Sequence, residues 1–61
     1  MKYWDLLRLL AADGWYLART RGSHQQYRHR GKPGVITIAG TADKDVPASI
    51  LHSILKQSGL S

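Results

Sequence analysis

The chain has 61 residues, no cysteine and a formal charge of +5, from nine Lys/Arg against four Asp/Glu. That length holds one domain, residues 1–61, with one small core, and the missing cysteine excludes a disulfide framework and any thiolate metal site. No apolar run approaches the roughly 20 residues that span a bilayer, and Asp5 and Arg8 interrupt the apolar N-terminal residues; a membrane partner and a secretory leader are therefore not expected, and the cytoplasm is the expected compartment.

The charge is unevenly placed. The acids are Asp5, Asp13, Asp43 and Asp45, so no carboxylate lies between residues 14 and 42. The same stretch holds Arg19, Arg21, Arg28, Arg30 and Lys32, with His24 and His29. Cations without internal acidic partners raise a positive potential over one part of the surface. A polyanion is the natural ligand.

The first element is a helix over roughly residues 2–13, because Tyr3, Leu6, Leu7 and Leu10 follow the i, i+3, i+4, i+7 spacing of one face. Gly14 supplies a left-handed stop, and Trp15 can fold back on the helix. A strand follows from Trp15 to Thr20. Period two gives Trp15 and Leu17 one face, and Tyr16, Ala18 and Thr20 the other. Residues 20–23 read as a tight turn in which Gly22 takes the positive φ.

The second strand runs from His24 to Arg30. Its alternation puts His24, Gln26, Arg28 and Arg30 on one face, and Gln25, Tyr27 and His29 on the other. Gly31-Lys32-Pro33-Gly34 reads as a second turn, and Val35 to Ala39 as a third strand with Ile36 and Ile38 buried. After a polar loop at 40–45, Pro47 suits the first position of a final helix. Ile50, Leu51, Ile54, Leu55 and Ser58 form its stripe, and Gly59-Leu60 its stop. The expected fold is α+β, in the order α-β-β-β-α. Two helices cover one face of a three-stranded antiparallel sheet and leave the other to water or a ligand.

If Tyr27, Ile36 and Ile38 face the helices, the opposite face carries His24, Gln26, Arg28 and Arg30. His24 follows a Gly-Ser turn and stands near arginines in sequence, which suits an imidazole working beside phosphate at neutral pH. His29 falls on the core side and is expected to be a satisfied structural histidine. His52 belongs to the helix surface. Three histidines and four aspartates offer no recognised metal-ligand spacing, so no metal and no cofactor are expected. Ser23 beside His24 is a poor nucleophile candidate, since no carboxylate is placed to orient the histidine. Of the aromatics, Tyr3, Trp15 and Tyr27 fit core positions, and Tyr16 is the best candidate for an exposed stacking surface.

The run Gly14-Trp15 … Arg19-x-x-Gly22-Ser23-His24-x-x-Tyr27, with the tail Lys44-Asp45-Val46-Pro47 … Ile54-Leu55-Lys56-Gln57-Ser58-Gly59-Leu60, resembles the HicA toxin family over essentially the whole chain. The resemblance implies a double-stranded-RNA-binding-like fold. It implies messenger-RNA cleavage that arrests growth, a HicB-like antitoxin as partner, and an active histidine at His24 presented by Gly22 and Ser23. Relatives often carry a histidine near the end of the third strand, where this chain has Ala39-Gly40-Thr41.

On that reading His24 acts as general base and acid on the ribose 2′-OH. Arg21, Arg28 or Lys44 donates to the non-bridging phosphate oxygens, and Arg19 and Arg30 widen the RNA-binding surface. The proton for the leaving oxygen comes from water, a lysine or His24 itself. Two other classes fit the charge alone: an RNA-binding module without catalysis, and a domain whose basic face docks an acidic protein.

Overall fold

The computed structural model describes residues 1–39 and 43–60. Helix α1 (Tyr3–Ala12) carries its apolar stripe inward, with Tyr3, Leu6 and Leu10 buried. It stops at Gly14, which takes φ +104°, so that Trp15 returns against the helix and is buried. Three strands follow: β1 (Trp15–Arg21), β2 (His24–His29) and β3 (Lys32–Ala39). They form an antiparallel sheet in the order β1-β2-β3. Helix α2 (Ala48–Ser58) completes the expected α-β-β-β-α order.

Both helices pack on the same sheet face. Leu6, Leu10, Trp15, Ile36, Ile38, Val46 and Ile54 make one core with Tyr3, and Leu7, Tyr27, Leu51, Leu55 and Leu60 pack against it. Leu6, Leu10 and Ile36 are fully buried; burying such a side chain contributes about 1.5–3 kcal/mol.

The β1–β2 connection is the two-residue loop Gly22-Ser23, since Arg21 pairs with His24. Gly22 has φ +59°, which suits the first central position of a hairpin turn that follows the sheet twist. The second connection differs from the expected Gly31–Gly34 turn. His29 pairs with Lys32, so the loop is Arg30-Gly31 and Lys32 already belongs to β3. Between the Tyr27–Ile36 and His29–Lys32 pairs β2 advances two residues and β3 four. Pro33-Gly34-Val35 therefore bulges out of an edge strand, where a missing N–H breaks no ladder bond.

Three further details depart from the periodic reading. Pro47 has ψ 142° and caps α2 from outside instead of opening it. Its carbonyl still accepts the Leu51 N–H at 2.9 Å. Ile50 is exposed and leaves the stripe to Leu51, Ile54, Leu55 and Ser58. Ahead of α2, Tyr3 N–H donates to the Lys44 carbonyl (2.9 Å) and Val46 N–H to the Met1 carbonyl (2.8 Å). The residues before α2 are thus tied to the start of α1. At the other end of α2, Leu60 N–H reaches the Leu55 carbonyl and Gly59 N–H the Lys56 carbonyl, the paired bonds of a left-handed helix stop.

One polar cluster joins four elements at the end of the sheet away from His24. Lys32 Nζ donates to Asp13 Oδ2 (2.6 Å) and to the Ser58 carbonyl (2.8 Å). Trp15 Nε1–H also donates to Asp13 Oδ2, at 3.2 Å. His29 completes the cluster. The Gly31 N–H donates to its Nδ1 at 2.8 Å, so the ring carries its proton on Nε2 and donates it to the Asp13 carbonyl. The same ring meets Trp15 edge-on, with centroids 5.3 Å apart. His29 is the satisfied structural histidine its strand position predicts.

The Lys32 hydrogen bond holds the Asp13 carboxyl below its ordinary value of 3.8, against an opposing desolvation effect. The unfolded chain therefore binds a proton at Asp13 before the folded chain does, and stability falls as pH drops below about 4. The contribution is complete above that value and vanishes below the depressed pKa. In urea melts, wild type is expected to lose midpoint between pH 5 and pH 3 by more than Asp13→Asn; parallel losses would dismiss the Asp13–Lys32 pair as the source.

Candidate functional site

Among the described residues, nothing packs over the sheet face away from the helices. Its composition depends on a bulge that sequence periodicity did not reveal. Leu17 pairs with Tyr27, but Arg19 pairs with Gln26. Ala18 is therefore an extra residue in β1, and the alternation of the strand reverses after it. Thr20 moves to the helix-side face opposite Gln25, whereas Arg19 and Arg21 join Tyr16 on the open face. Without the bulge, strict period two would aim both arginines toward the helices.

The open face then reads in three rows from the hairpin end. Arg21, His24 and Ala39 form the first, Arg19, Gln26 and Thr37 the second, and Tyr16 with Arg28 the third. Arg30, in the β2–β3 loop, places its guanidinium 5.9 Å from the Tyr16 ring centroid. His24, Arg19, Arg21, Arg28, Arg30 and Tyr16 are all exposed. Among the described residues the only carboxylate within ion-pairing distance of a cation is Asp13, whose partner is Lys32. The arginines are thus left for an outside anion.

His24 opens β2, where the Gly22-Ser23 loop turns the chain. Directly paired Cα atoms lie about 4.5–5.5 Å apart, so Arg21 stands beside the imidazole on the same face. Gly22 and Ser23 are exposed at the loop tip, and a Cβ added at Gly22 would meet nothing within 4 Å. Gly22 thus serves the turn, and Ser23 lies in the connection, not on the face. Lys44 is exposed but does not belong to the sheet; its backbone is bonded at the start of α1. Of the third-strand positions where relatives carry histidine, Ala39 pairs with His24, and Gly40 and Thr41 lie outside the described residues.

Among the described residues no three His, Asp or Glu side chains are grouped to hold a metal ion. No helix is long and apolar enough to cross a membrane. The arrangement offers one accessible proton-transfer group, four guanidinium groups, and an aromatic ring, all on one open surface. Strand periodicity marks His24, Gln26, Arg28 and Arg30 for this face and Tyr16 as an exposed aromatic. It misses the Tyr16–Arg30 pairing, because Arg30 reaches the ring from a loop.

A family model described as the HicA toxin of bacterial toxin-antitoxin matches residues 4–60. No curated protein matches the chain. The match spans both helices and all three strands, including the hairpin that displays His24. The chain belongs to the HicA toxin family and is the toxin of a bacterial toxin–antitoxin system.

Proposed function

We propose that this toxin is a metal-independent endoribonuclease that cleaves messenger RNA in the cytoplasm, with His24 as its proton-transfer group. The observation that carries the proposal is the exposed imidazole next to Arg21 on a cationic sheet face with no carboxylate partner among the described residues. RNA supplies its own nucleophile. The His24 imidazole takes the 2′-OH proton as the 2′ oxygen attacks phosphorus. Arg21, the nearest cation on the face, donates to the non-bridging oxygens as their charge grows. The bond from phosphorus to the 5′ oxygen then breaks, and that oxygen takes up a proton from the His24 imidazolium, directly or through water or a lysine, which returns the imidazole to its neutral form. The products are a 2′,3′-cyclic phosphate and a 5′-OH.

Arg19 and Arg28 hold flanking phosphates, Arg30 adds to the RNA-binding surface beside Tyr16, and Gly22-Ser23 sets the angle at which β2 presents His24. Lys44 reaches the RNA from outside the sheet. A HicB-like antitoxin neutralises the toxin by setting acidic groups against the same face, where charge complementarity is greatest. The test is chemical. Incubated with RNA in EDTA, the purified chain is expected to generate 2′,3′-cyclic ends. It should leave DNA, and RNA with a single 2′-deoxy substitution at the cleaved position, intact at that position. Cleavage of the 2′-deoxy linkage rules out the 2′-OH mechanism, and loss of all cleavage in EDTA rules out metal independence. Binding with no new ends would leave an RNA-binding module in place of an enzyme.

A further inference from the structure

Tyr16 lies outside the core cluster and, among the described residues, makes no side-chain hydrogen bond. The residue is 44% exposed, it lies on the face opposite the core, and its cross-strand partner is Arg28. A large aromatic on a solvated sheet face is the residue type on which an unpaired base stacks. The Arg30 guanidinium 5.9 Å from the ring centroid is within cation–π range. Guanidinium planes also stack on bases, so ring and guanidinium together offer a base two adjacent stacking surfaces, one of them cationic.

The pair stands at a defined distance from His24. Tyr16 is level with Arg28, four residues along β2 from His24. At about 3.3 Å per residue the separation is roughly 13 Å along the strand. Gln26, with Arg19 and Thr37 to either side, fills the interval with hydrogen-bonding groups. A cation row that ends in an aromatic fits a single strand whose bases are free to turn toward the sheet. A continuous duplex keeps its bases stacked inside and offers the ring nothing.

We infer that Tyr16 and Arg30 form a stacking subsite for one unpaired base of the RNA, a few nucleotides from the phosphodiester at His24. The inference rests on the open face being the RNA face, and it makes the toxin selective for single-stranded stretches. Tyr16 acts on binding and positioning and takes no part in proton transfer.

The test uses the full chain carrying His24→Ala, so that RNA stays intact, with a single-stranded RNA octamer and a duplex of the same sequence as probes. Tyr16→Ala is expected to weaken octamer binding by roughly ten-fold, whereas Tyr16→Phe retains it. The salt slope should stay unchanged in Tyr16→Ala and drop by about one in Arg28→Ala, which removes a phosphate contact. The duplex should bind Tyr16→Ala and the parent equally. Circular dichroism melts show whether each variant is folded. Equal octamer affinity for the Ala, Phe and parent forms overturns the subsite and leaves the cationic face intact. Absence of RNA binding in the parent overturns both. The expected Tyr16 pattern in a chain whose His24 form never cleaves RNA upholds the subsite while sinking the nuclease.

Discussion

His24→Ala is expected to cut RNA cleavage by about 10²–10⁴-fold while RNA affinity and thermal stability stay close to wild type. The separation follows from where the residue sits. The imidazole is exposed, belongs to the face opposite the core, and among the described residues makes none of the side-chain hydrogen bonds that join the elements. Its removal therefore leaves no cavity and no orphaned buried partner. Exposed substitutions away from such features usually stay within about 0.5 kcal/mol. The arginines that attract phosphate remain, so binding persists and the salt dependence is unchanged. Rate and affinity measured on one RNA, wild type against variant, check the separation. Unchanged cleavage would remove His24 from the mechanism, and a collapse of affinity alongside rate would make it a phosphate contact.

The second large effect concerns stability. Gly14→Ala is expected to cost about 2–4 kcal/mol, and Gly22→Ala only about 1–2 kcal/mol. Both glycines have positive φ, +104° and +59°, so both alanines carry backbone strain of about 1–3 kcal/mol. They differ in what surrounds them. A Cβ at Gly14 would sit 2.8 Å from His29 Nε2, whereas one at Gly22 meets nothing within 4 Å. The His29 ring has little room to retreat, held by the Gly31 N–H, the Asp13 carbonyl and the Trp15 edge. Displacing it also forfeits a hydrogen bond of about 1 kcal/mol. A chain of this size has roughly 3–9 kcal/mol in total, so Gly14→Ala brings it near the edge of folding. Urea unfolding of the two variants measures the difference. Equal losses would mean that the His29 ring moves freely and that only φ matters.

The elements were legible wherever periodicity met a stop signal. The Tyr3-Leu6-Leu10 stripe ends at Gly14, the Ile54-Ser58 stripe ends at Gly59, and the Gly22-Ser23 pair sets a hairpin. These signals are local: spacing decides which face is apolar, and glycine decides where the chain can turn left-handed. The face of His24, Gln26 and Arg28 was equally readable, because β2 has a pairing partner on each side and keeps its alternation up to Arg28. The structural role of His29 followed from the same count.

The edge strands were another matter. No local feature of Trp15-Tyr16-Leu17-Ala18-Arg19-Thr20-Arg21 announces that Ala18 will be passed over; pairing with β2 decides it. Sheet pairing aligns Leu17 with the apolar Tyr27 and still brings Arg21 opposite His24 across a two-residue loop, and one surplus residue must bulge between those two alignments. Pro33 likewise looked like part of a turn because it lacks an N–H, yet an edge position tolerates that lack. Residue order alone thus determined the α-β-β-β-α order, its apolar faces, and an unbalanced positive charge. The tertiary structure decided that Arg19 and Arg21 share a surface with His24, and that Arg30 lies over Tyr16. Register is set by partners distant in the chain, and a one-residue slip moves every later side chain of a strand to the opposite face.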